Sequence, residues 1–350
     1  MEQKAPILVT GATGYVASWI VAMLLEQGHQ VRGTVRNKAK TEKYQHLLDK
    51  AAQTSGTLEI FEADLLKANS FDDATHGCEY VIHTASPFKT SVKNPDAELV
   101  QPALKGTQNV LNAVAKADSV KRVVLTSSVV AIYGDLEEVK SKPNATFTED
   151  DWNETSSLTH QPYNYSKTVA EKAAWEAAKL QNRWSLTTIH PGFVLGPSLT
   201  KRLDSTSIDF VKNMGSGAMK AGAPNLTFAT VDVRDVAKAH IEAAFRPEAH
   251  GRYVAVGECA SILEIAQSVD SDYQQKLPLP TKLLPNWLLY IVGPGLGFSW
   301  KYLRKNLGIS FKFDNTRTQK DLGIHFRPIG KTMGDHFDQL IEDGILAPHK

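Results

Sequence analysis

The stretch QPYNYSK, residues 161–167, contains two tyrosines and one lysine that could act on a carbonyl group. Tyr163 precedes Lys167 by four residues, and positions i and i+4 share one face of a helix, so both side chains can reach one cleft. A neighbouring ammonium favours the phenolate and should lower the pKa of Tyr163. A phenol tuned in this way can protonate a carbonyl oxygen as a hydride arrives. Tyr165 points elsewhere, so Tyr163 is the predicted proton donor.

Two serines, Ser127 and Ser128, end the run KRVVLTSS, which has the pattern of a buried parallel strand. Ligands bind at the carboxyl ends of such strands, so a hydroxyl here can hold the substrate oxygen. The alternative is a hydroxyl that caps its own strand end. Neither serine lies in a G-x-S-x-G elbow, so a hydrolase nucleophile is not expected. No residues have the spacing of metal ligands, so no metal site is predicted.

A glycine turn joins a strand to a helix in ILVTGATGYVASWIVAMLLEQG. Gly11 permits the tight turn, and Gly14 lets a pyrophosphate approach the backbone at the helix N-terminus. Ala17 takes the place of the usual third glycine and is still small enough for helix–strand packing. The strand before the turn and the helix after it predict a dinucleotide site.

The charges at the end of the second strand, QVRGTV, bear on which dinucleotide is bound. An NAD site usually has an acidic residue there, but this chain has Arg36, with Lys38, Lys40 and Lys43 close behind. A guanidinium suits a phosphate, so these residues predict NADP, and a solvated basic loop is the alternative. Asp64, after the third strand, could bind the adenine amino group or cap the following helix.

Strand patterns alternate with helical patterns over most of the chain. This alternation predicts an α/β fold, a Rossmann-type doubly wound parallel sheet. The strand patterns are PILVT, QVRGTV, TLEIFEA, EYVIHTA, KRVVLTSS, SLTTIHP and RYVAVG. We assign residues 1–195 and 229–258 to the dinucleotide-binding domain. Residues 196–228 and 259–350 are expected mainly to form a smaller substrate-binding lobe, built from C-terminal insertions.

The overall composition is that of a globular chain with no strong charge bias. Of 350 residues 42% are hydrophobic and 22% charged, and the net charge is +1, which favours neither a nucleic-acid surface nor a broad membrane surface. Cys78 and Cys259 are expected to be buried free thiols. The N-terminal residues enter a strand pattern at once and show no signal-peptide pattern, so a cytoplasmic location is expected.

One apolar segment, 283–300, contains prolines and glycines that interrupt it well short of the roughly 20 residues that span a bilayer. We expect a packed helix and turn in the smaller lobe and no stable membrane insertion. Contact with a membrane surface is the alternative.

Several motifs together are typical of one enzyme family: TGATGYVA, HTASP, TSS, YNYSK and HPGFVLGP occur in that order. With them the chain resembles the extended short-chain dehydrogenases/reductases. More narrowly, it is similar to the branch of dihydroflavonol reductases, cinnamoyl-CoA reductases and yeast-type methylglyoxal/aldehyde reductases. FTEDDWNE before the tyrosine and FDNTRTQKDLGIHFRP near the C-terminus also resemble that branch.

This resemblance implies roles for individual residues. Ser128 would hold the substrate oxygen, Tyr163 would donate the proton, and Lys167 would bind the nicotinamide ribose and tune Tyr163. The implied cofactor-binding residues are Gly11, Thr13, Gly14, Tyr15, Val16, Arg36, Lys43, Asp64, Leu65, Thr84, Ala85, Ser86, Thr126, Tyr163, Lys167, Pro191, Gly192 and Val194. The implied substrate-pocket residues are Phe88, Ser128, Tyr133 and Tyr163.

The chain departs from the branch at positions that bear on the substrate. Cinnamoyl-CoA reductases carry an Asn-Trp-Tyr-Cys-Tyr-Gly-Lys run, and four of its seven positions here hold Gln161, Pro162, Asn164 and Ser166. CoA-thioester reduction is therefore not expected. Flavonoid reductases usually have Asn where this chain has Tyr133, which argues against a flavonoid substrate.

The sequence thus predicts an NADPH-dependent carbonyl reductase for a small or medium aldehyde or ketone, acting as a monomer or homodimer. Three alternatives stay open: an NAD-dependent nucleotide-sugar epimerase or dehydratase, a hydroxysteroid dehydrogenase, and a non-catalytic NADPH-sensing protein. The basic residues around Arg36 argue against the first. The presence of both Tyr163 and Lys167 argues against the last.

Overall fold

A computed structural model describes residues 5–86, 92–201 and 205–348 of the chain. In these ranges the short β-branched runs form strands, as their alternation with helical patterns predicts. The strands are β1 (Ile7–Thr10), β2 (Gln30–Val35), β3 (Thr57–Glu62), β4 (Tyr80–His83), β5 (Arg122–Thr126), β6 (Thr146–Phe147), β7 (Ser185–Pro191), β8 (Phe193–Leu195), β9 (Thr227–Asp232), β10 (Gly251–Ala255), β11 (Glu258–Ser261) and β12 (Lys312–Phe313).

Seven of these strands form one parallel sheet in the order β10-β7-β5-β4-β1-β2-β3. The chain builds outward from β1 to β3, then returns and continues on the other side of β1 with β4. This reversal leaves a crevice at the carboxyl ends of β1 and β4, where open parallel sheets bind ligands. The predicted Rossmann-type sheet is confirmed.

Helices cover both faces of this sheet. The α-helices are α1 (Tyr15–Glu26), α2 (Gln45–Ala52), α3 (Asp72–Thr75), α4 (Gln101–Lys116), α5 (Pro162–Lys179), α6 (Thr206–Gly215), α7 (Val233–Phe245), α8 (Ile262–Gln267), α9 (Ser271–Lys276), α10 (Asn286–Val292), α11 (Trp300–Asn306), α12 (Thr316–Leu322) and α13 (Ile329–Glu342). Successive strand residues face opposite sides, so Ile7 and Val9 pack with α1 and α7, while Leu8 packs with α4 and α5.

A further buried core belongs to the later part of the chain. Side chains of α6, α8 and α13 pack together there with Leu195 and Leu226. Strand β9 pairs with β8 and β11 in a separate three-stranded sheet, and Leu322 and Ile324 pack in the core of the main sheet. The periodicity of a strand does not identify its partner, so the strand pattern alone does not predict this pairing. The boundaries of the two domains stay a prediction.

The apolar segment 283–300 forms α10, a 3₁₀ turn at Gly293–Leu296 and the start of α11. In the described ranges, no helix is long and apolar enough to cross a membrane. The expectation that the segment is packed is only partly right, because Leu289 is buried whereas Trp287 and Ile291 are 64% and 68% exposed. Proline and glycine keep its helices short, so only one side of each can pack.

Candidate active site

Helix α5, which carries Tyr163 and Lys167, is held in place at its first turn. It begins at Pro162, whose ring suits a first helical position because that position needs no N–H donor. Gln161 precedes it in the left-handed conformation, with φ 54°, and donates from Nε2 to Asp135 Oδ1 at 2.8 Å. Asn164 Nδ2 in turn donates to Gln161 Oε1 at 2.8 Å. Tyr163 therefore lies in a first turn that is anchored on both sides.

Asp135 is a fully buried carboxylate that joins three parts of the chain. Besides Gln161, its partners are His160 Nε2 at 2.8 Å, Asn306 Nδ2 at 3.0 Å and Lys305 Nζ at 3.3 Å. Burial alone would raise the pKa of Asp135, but the hydrogen bonds from Asn306 and His160 lower this pKa below its usual value. The sequence reasoning missed this residue. A signal was present, since Asp135 and Glu138 form a capping box at the start of a 3₁₀ helix.

Glu171 lies two helical turns after Tyr163 and one after Lys167, and it is also buried. Its carboxylate bonds to residues of three neighbouring strands or their ends. The donors are Ser127 Oγ at 2.5 Å, His190 Nε2 at 2.8 Å, Arg252 Nε at 2.8 Å and Thr188 Oγ1 at 3.3 Å. Burial opposes its ionisation, but His190 and Arg252 hold the pKa of Glu171 well below its usual range. The sequence reasoning also missed Glu171, although it extends the i, i+4 spacing of Tyr163 and Lys167.

This network distinguishes the two serines. The hydroxyl of Ser127 is buried and committed to Glu171. Ser128 is only half-buried and caps the 3₁₀ turn Val129–Ala131, where its Oγ accepts from Val130 N at a long 3.4 Å. Helix α5 packs directly against that turn. The capping alternative is thus realised in part, and Ser128 is the less buried of the two serines, so its role toward the substrate oxygen stays a prediction.

Burial dominates the electrostatics of Tyr163 and Lys167. It raises the pKa of Tyr163 to about 12 and lowers the pKa of Lys167 to about 8, against an opposing effect of Glu171. The expectation of a lowered Tyr163 pKa is therefore wrong, because phenolate and ammonium both lose hydration in the same buried site. A raised pKa keeps the proton on Tyr163, which is the form that a proton donor needs. Nearby His83, at the end of β4, is kept neutral by burial and by Lys167, which lower its pKa to about 3.

The crevice between β1 and β4 is closely packed around Gly11. This residue has φ 65°, and a Cβ there would lie 3.0 Å from Ala85 Cβ, so both conformation and space favour glycine. Thr84 Oγ1 donates to Thr10 O at 2.6 Å, and Ala85 N donates to Thr10 Oγ1 at 3.1 Å. The predicted residues Gly11, Thr84 and Ala85 are thus together at the switch point of the sheet, and Ser86 follows them on the exposed surface.

The N-terminus of α1 faces the same crevice and fits a phosphate group. Its N-cap is Gly14, its first turn holds no acidic residue, and Thr13, Tyr15 and Val16 surround it half-buried. A helix N-terminus of this kind favours anions. Tyr15 also donates its hydroxyl hydrogen bond to Gly196 O, which ties the helix to the loop after β8.

The chain that follows β7 packs closely against β9. Pro191 ends β7, Val194 lies in β8, and a Cβ on Gly192 between them would lie 2.4 Å from Ala229 O. Only glycine fits there without a shift of the backbone.

Thr126, at the end of β5, hydrogen-bonds through Oγ1 to His240 Nε2 at 2.7 Å, so this hydroxyl is already engaged.

The basic residues predicted to bind a 2′-phosphate lie exposed beyond β2. Arg36 follows the strand directly, and Lys43 lies in a 3₁₀ helix a few residues later. Register with β3 also brings in Glu62, whose Oε2 accepts from Lys38 N at 2.9 Å, an acidic neighbour that the local sequence does not show. The carboxylate of Glu62 thus already accepts a hydrogen bond from the backbone amide of Lys38.

Two residues after β3 were expected beside the adenine. Asp64 is exposed and its Oδ1 accepts from Leu66 N at 2.8 Å, so it caps a turn. The neighbouring Leu65 is half-buried and lies close to Gly106 of α4. The adenine role of Asp64 and Leu65 stays a prediction.

Of the two aromatic residues predicted to line the substrate pocket, Tyr133 stacks on Phe147 with ring centroids 5.0 Å apart. It also contacts the rings of Phe311 and Phe313. Burial raises the pKa of its hydroxyl, so this hydroxyl stays neutral. Phe88 lies outside the described residues.

Comparison with known proteins agrees with this geometry. The model of the NAD dependent epimerase/dehydratase family matches residues 7–257. The chain belongs to this family. The cinnamoyl-CoA reductase CAD2 of Medicago truncatula is 42% identical over 284 residues, covering 79% of this chain and 83% of the relative. Tetraketide alpha-pyrone reductase 1 of Arabidopsis thaliana is 34% identical, covering 99% of this chain and 98% of the relative.

Among solved structures, the chain is similar to the yeast methylglyoxal/isovaleraldehyde reductase Gre2 complexed with NADPH. The TM-score is 0.77 and the identity 28%, covering 97% of this chain and 100% of that chain. The predicted resemblance to the extended short-chain dehydrogenases/reductases is confirmed, and so is the predicted oxidoreductase class.

Proposed function

We propose that the protein is an NADPH-dependent carbonyl reductase that acts on a small or medium aldehyde or ketone, with Tyr163 as the proton donor. The observation that carries the proposal is the anchored start of α5, which holds Tyr163 and Lys167 one turn apart beside the crevice of the parallel sheet. Three similar proteins named as reductases, one of them complexed with NADPH, support the same reaction class.

The residues present fit the dinucleotide. The N-terminus of α1 and the glycine turn would hold the pyrophosphate, and exposed Arg36 with Lys43 would hold the 2′-phosphate. Bound NADPH supplies a hydride. The protein would orient the carbonyl oxygen with Ser128 and keep a proton on Tyr163, which passes to that oxygen as negative charge develops. Lys167, as a cation one turn away, would stabilise the phenolate that remains.

The substrate would lie between Tyr163 and the smaller lobe, with Tyr133 and Phe88 as an apolar wall. Tyr133 belongs to an aromatic cluster with Phe147, Phe311 and Phe313, which brings the chain after β5 together with the C-terminal part. An apolar wall of this kind suits an aliphatic or aromatic carbonyl better than a nucleotide sugar.

The test is the rate of NADPH oxidation by the purified protein with a panel of aldehydes and ketones. Cinnamoyl-CoA and UDP-sugars form two comparison arms. The first would show CoA-thioester reduction as NADPH oxidation, and the second is followed by analysis of the sugar products with NAD present, because an epimerase or dehydratase returns the hydride and consumes no net cofactor. We expect turnover with free carbonyl compounds. Turnover restricted to cinnamoyl-CoA would refute the substrate class, and a protein that binds NADPH but reduces no carbonyl would refute the enzyme.

A further inference from the structure

Exposed apolar side chains concentrate in one segment of the smaller lobe. Ten large hydrophobic side chains are exposed in the described part of the chain, and seven of them lie between 283 and 300. These seven, which we call the apolar patch, are Leu283, Trp287, Tyr290, Ile291, Val292, Leu296 and Trp300. Scattered single exposures are normal in proteins, but a cluster of this density marks an interaction surface.

Four members of the patch, Trp287, Tyr290, Ile291 and Trp300, lie close together in space. Trp287, Tyr290 and Ile291 are three and four residues apart on α10, so they share one face of the helix. Trp300, at the start of α11, donates from its indole Nε1 to Tyr290 O at 3.0 Å, which places the second tryptophan against the end of α10. The side chain of Leu289 is buried and attaches α10 to the protein. One side of this helix therefore packs while the other presents aromatic rings to solvent.

The charged residues of the segment that carries the patch are all of one sign. Residues 277–313 contain five Lys or Arg and no Asp or Glu, in a chain whose net charge is only +1. Lys305 is paired with Asp135 and Glu137, but Lys282, Lys301 and Arg304 are exposed. A positive rim around tryptophans complements a surface that is apolar inside and anionic at its boundary.

We propose that the apolar patch docks the protein on the surface of a bilayer that contains anionic phospholipid. Tryptophan and tyrosine side chains favour the boundary between headgroups and acyl chains, and exposed lysine and arginine are attracted to anionic headgroups. The contact is peripheral, because α10 has only seven residues. A second copy of the chain fits less well, since a two-fold contact through the patch would bring the same positive rims together. This proposal does not depend on the proposed catalytic function.

The test is flotation of the full-length protein with vesicles of phosphatidylcholine alone and of phosphatidylcholine with phosphatidylserine. We expect binding to the second kind of vesicle, decreasing as salt screens the charges. Trp287→Ser combined with Ile291→Ser should reduce the partition coefficient at least about tenfold, since it removes most of the inserted apolar area. Lys301→Ala and Arg304→Ala should each reduce it roughly fivefold.

The matched control is Leu180→Ser, which removes an isolated apolar side chain that is 89% exposed at the end of α5. It should leave vesicle binding unchanged. Wild-type protein that stays unbound with both kinds of vesicle would overturn the proposal, and so would binding that the patch variants do not weaken. A dimer in sedimentation velocity that Trp287→Ser dissociates, without vesicle binding, would assign the patch to a second copy. Thermal unfolding of each variant shows that it is folded.

Discussion

At the scale of single residues, the site depends on which charged forms burial permits. Tyr163 keeps its proton, and Lys167 can lose its own close to neutral pH. Glu171, held ionised by His190 and Arg252, lies one turn from Lys167 and opposes this loss. The buried carboxylate therefore balances the charge of the lysine, and the tyrosine is the group that would meet the substrate.

Replacing Tyr163 by Phe removes one oxygen and leaves the ring in place. Because general acid catalysis typically contributes about 10²–10⁴-fold, kcat should fall by that order while NADPH still binds. Tyr165→Phe is the matched control, and its kcat should change less than about tenfold, in line with the loss of at most one ordinary hydrogen bond. Steady-state rates and a cofactor titration on both variants decide the matter. Near-normal turnover by Tyr163→Phe would remove the proposed proton donor.

The rate of carbonyl reduction should fall as pH rises through about 8, the pKa of Lys167, because the lysine is a cation below this pH and neutral above it. Glu171→Gln removes the negative charge that favours the cation, so the alkaline limb of kcat against pH should move to lower pH. Glu176→Gln is the control, since Glu176 is exposed on the same helix. If the alkaline limb of kcat against pH stays at the same pH in Glu171→Gln, Glu171 does not influence the protonation of Lys167.

At the scale of secondary-structure elements, the candidate site depends on the carboxyl end of β2 and on the first turn of α5. The carboxyl end of β2 presents Arg36 to solvent, and the first turn of α5 is fixed by Asp135. Arg36 should select the nucleotide, and the bond to Asp135 should hold Tyr163 in a fixed position relative to the sheet. Each can be tested without touching the catalytic side chains.

Arg36→Ala should weaken NADPH binding by roughly tenfold or more, because a charge-assisted hydrogen bond to phosphate contributes on the order of 1–3 kcal/mol. NADH, which lacks the 2′-phosphate, serves as the control ligand, and its affinity should stay nearly unchanged. The wild-type protein should prefer NADPH over NADH in kcat/KM. If the wild-type protein uses NADPH and NADH equally well, the basic residues from Arg36 to Lys43 form only a solvated loop.

Asp135→Ala should lower the free energy of unfolding by about 3–5 kcal/mol, since it leaves buried donors from His160 and Asn306 without their carboxylate. Asp272→Ala is the control: this carboxylate is exposed on α9, and its loss should change stability by less than about 0.5 kcal/mol. Urea unfolding of both variants gives the comparison. A small loss in Asp135→Ala would show that water replaces the anchor of α5.

At the scale of the whole molecule, α5 is linked both to the main sheet and, through Asp135, to α11. The carboxylate of Glu171 accepts hydrogen bonds from Ser127 just after β5, from His190 of β7 and from Arg252 of β10, while Asp135, which holds the first turn of α5, accepts from Asn306 of α11. Helix α5 is thus tied to both the main sheet and the later part of the chain. A substrate pocket between them would share its wall with the aromatic cluster around Tyr133.

Tyr133→Leu keeps an apolar side chain in that cluster and removes the ring. We expect KM or the ranking of carbonyl substrates to change while NADPH affinity stays nearly unchanged, because the proposed function assigns the residue to the wall of the substrate pocket. Phe88→Ala should act in the same direction. Protein fluorescence gives the NADPH affinity, and thermal unfolding checks that each variant is folded. A collapse of NADPH binding would instead assign these residues to the nucleotide site.

What the sequence determined by itself is local. The glycine turn, the strand–helix alternation, the four-residue spacing of Tyr163 and Lys167 and the basic stretch from Arg36 each depend on neighbours along the chain, so periodicity and residue chemistry predict them. The order of the motifs along the chain also indicated the family. These features were sufficient for the parallel sheet and for the main groups of the candidate site.

What only the tertiary structure decided depends on neighbours distant in sequence. The burial of the Ser127 hydroxyl depends on Glu171, 44 residues further on, and the anchor of α5 includes Asn306, 171 residues from Asp135. The pairing of β9, the raised pKa of Tyr163 and the exposed face of α10 likewise follow from which groups burial brings together and which it leaves in water. Hydrogen bonds and desolvation act through space, and no local pattern records the distances on which they depend.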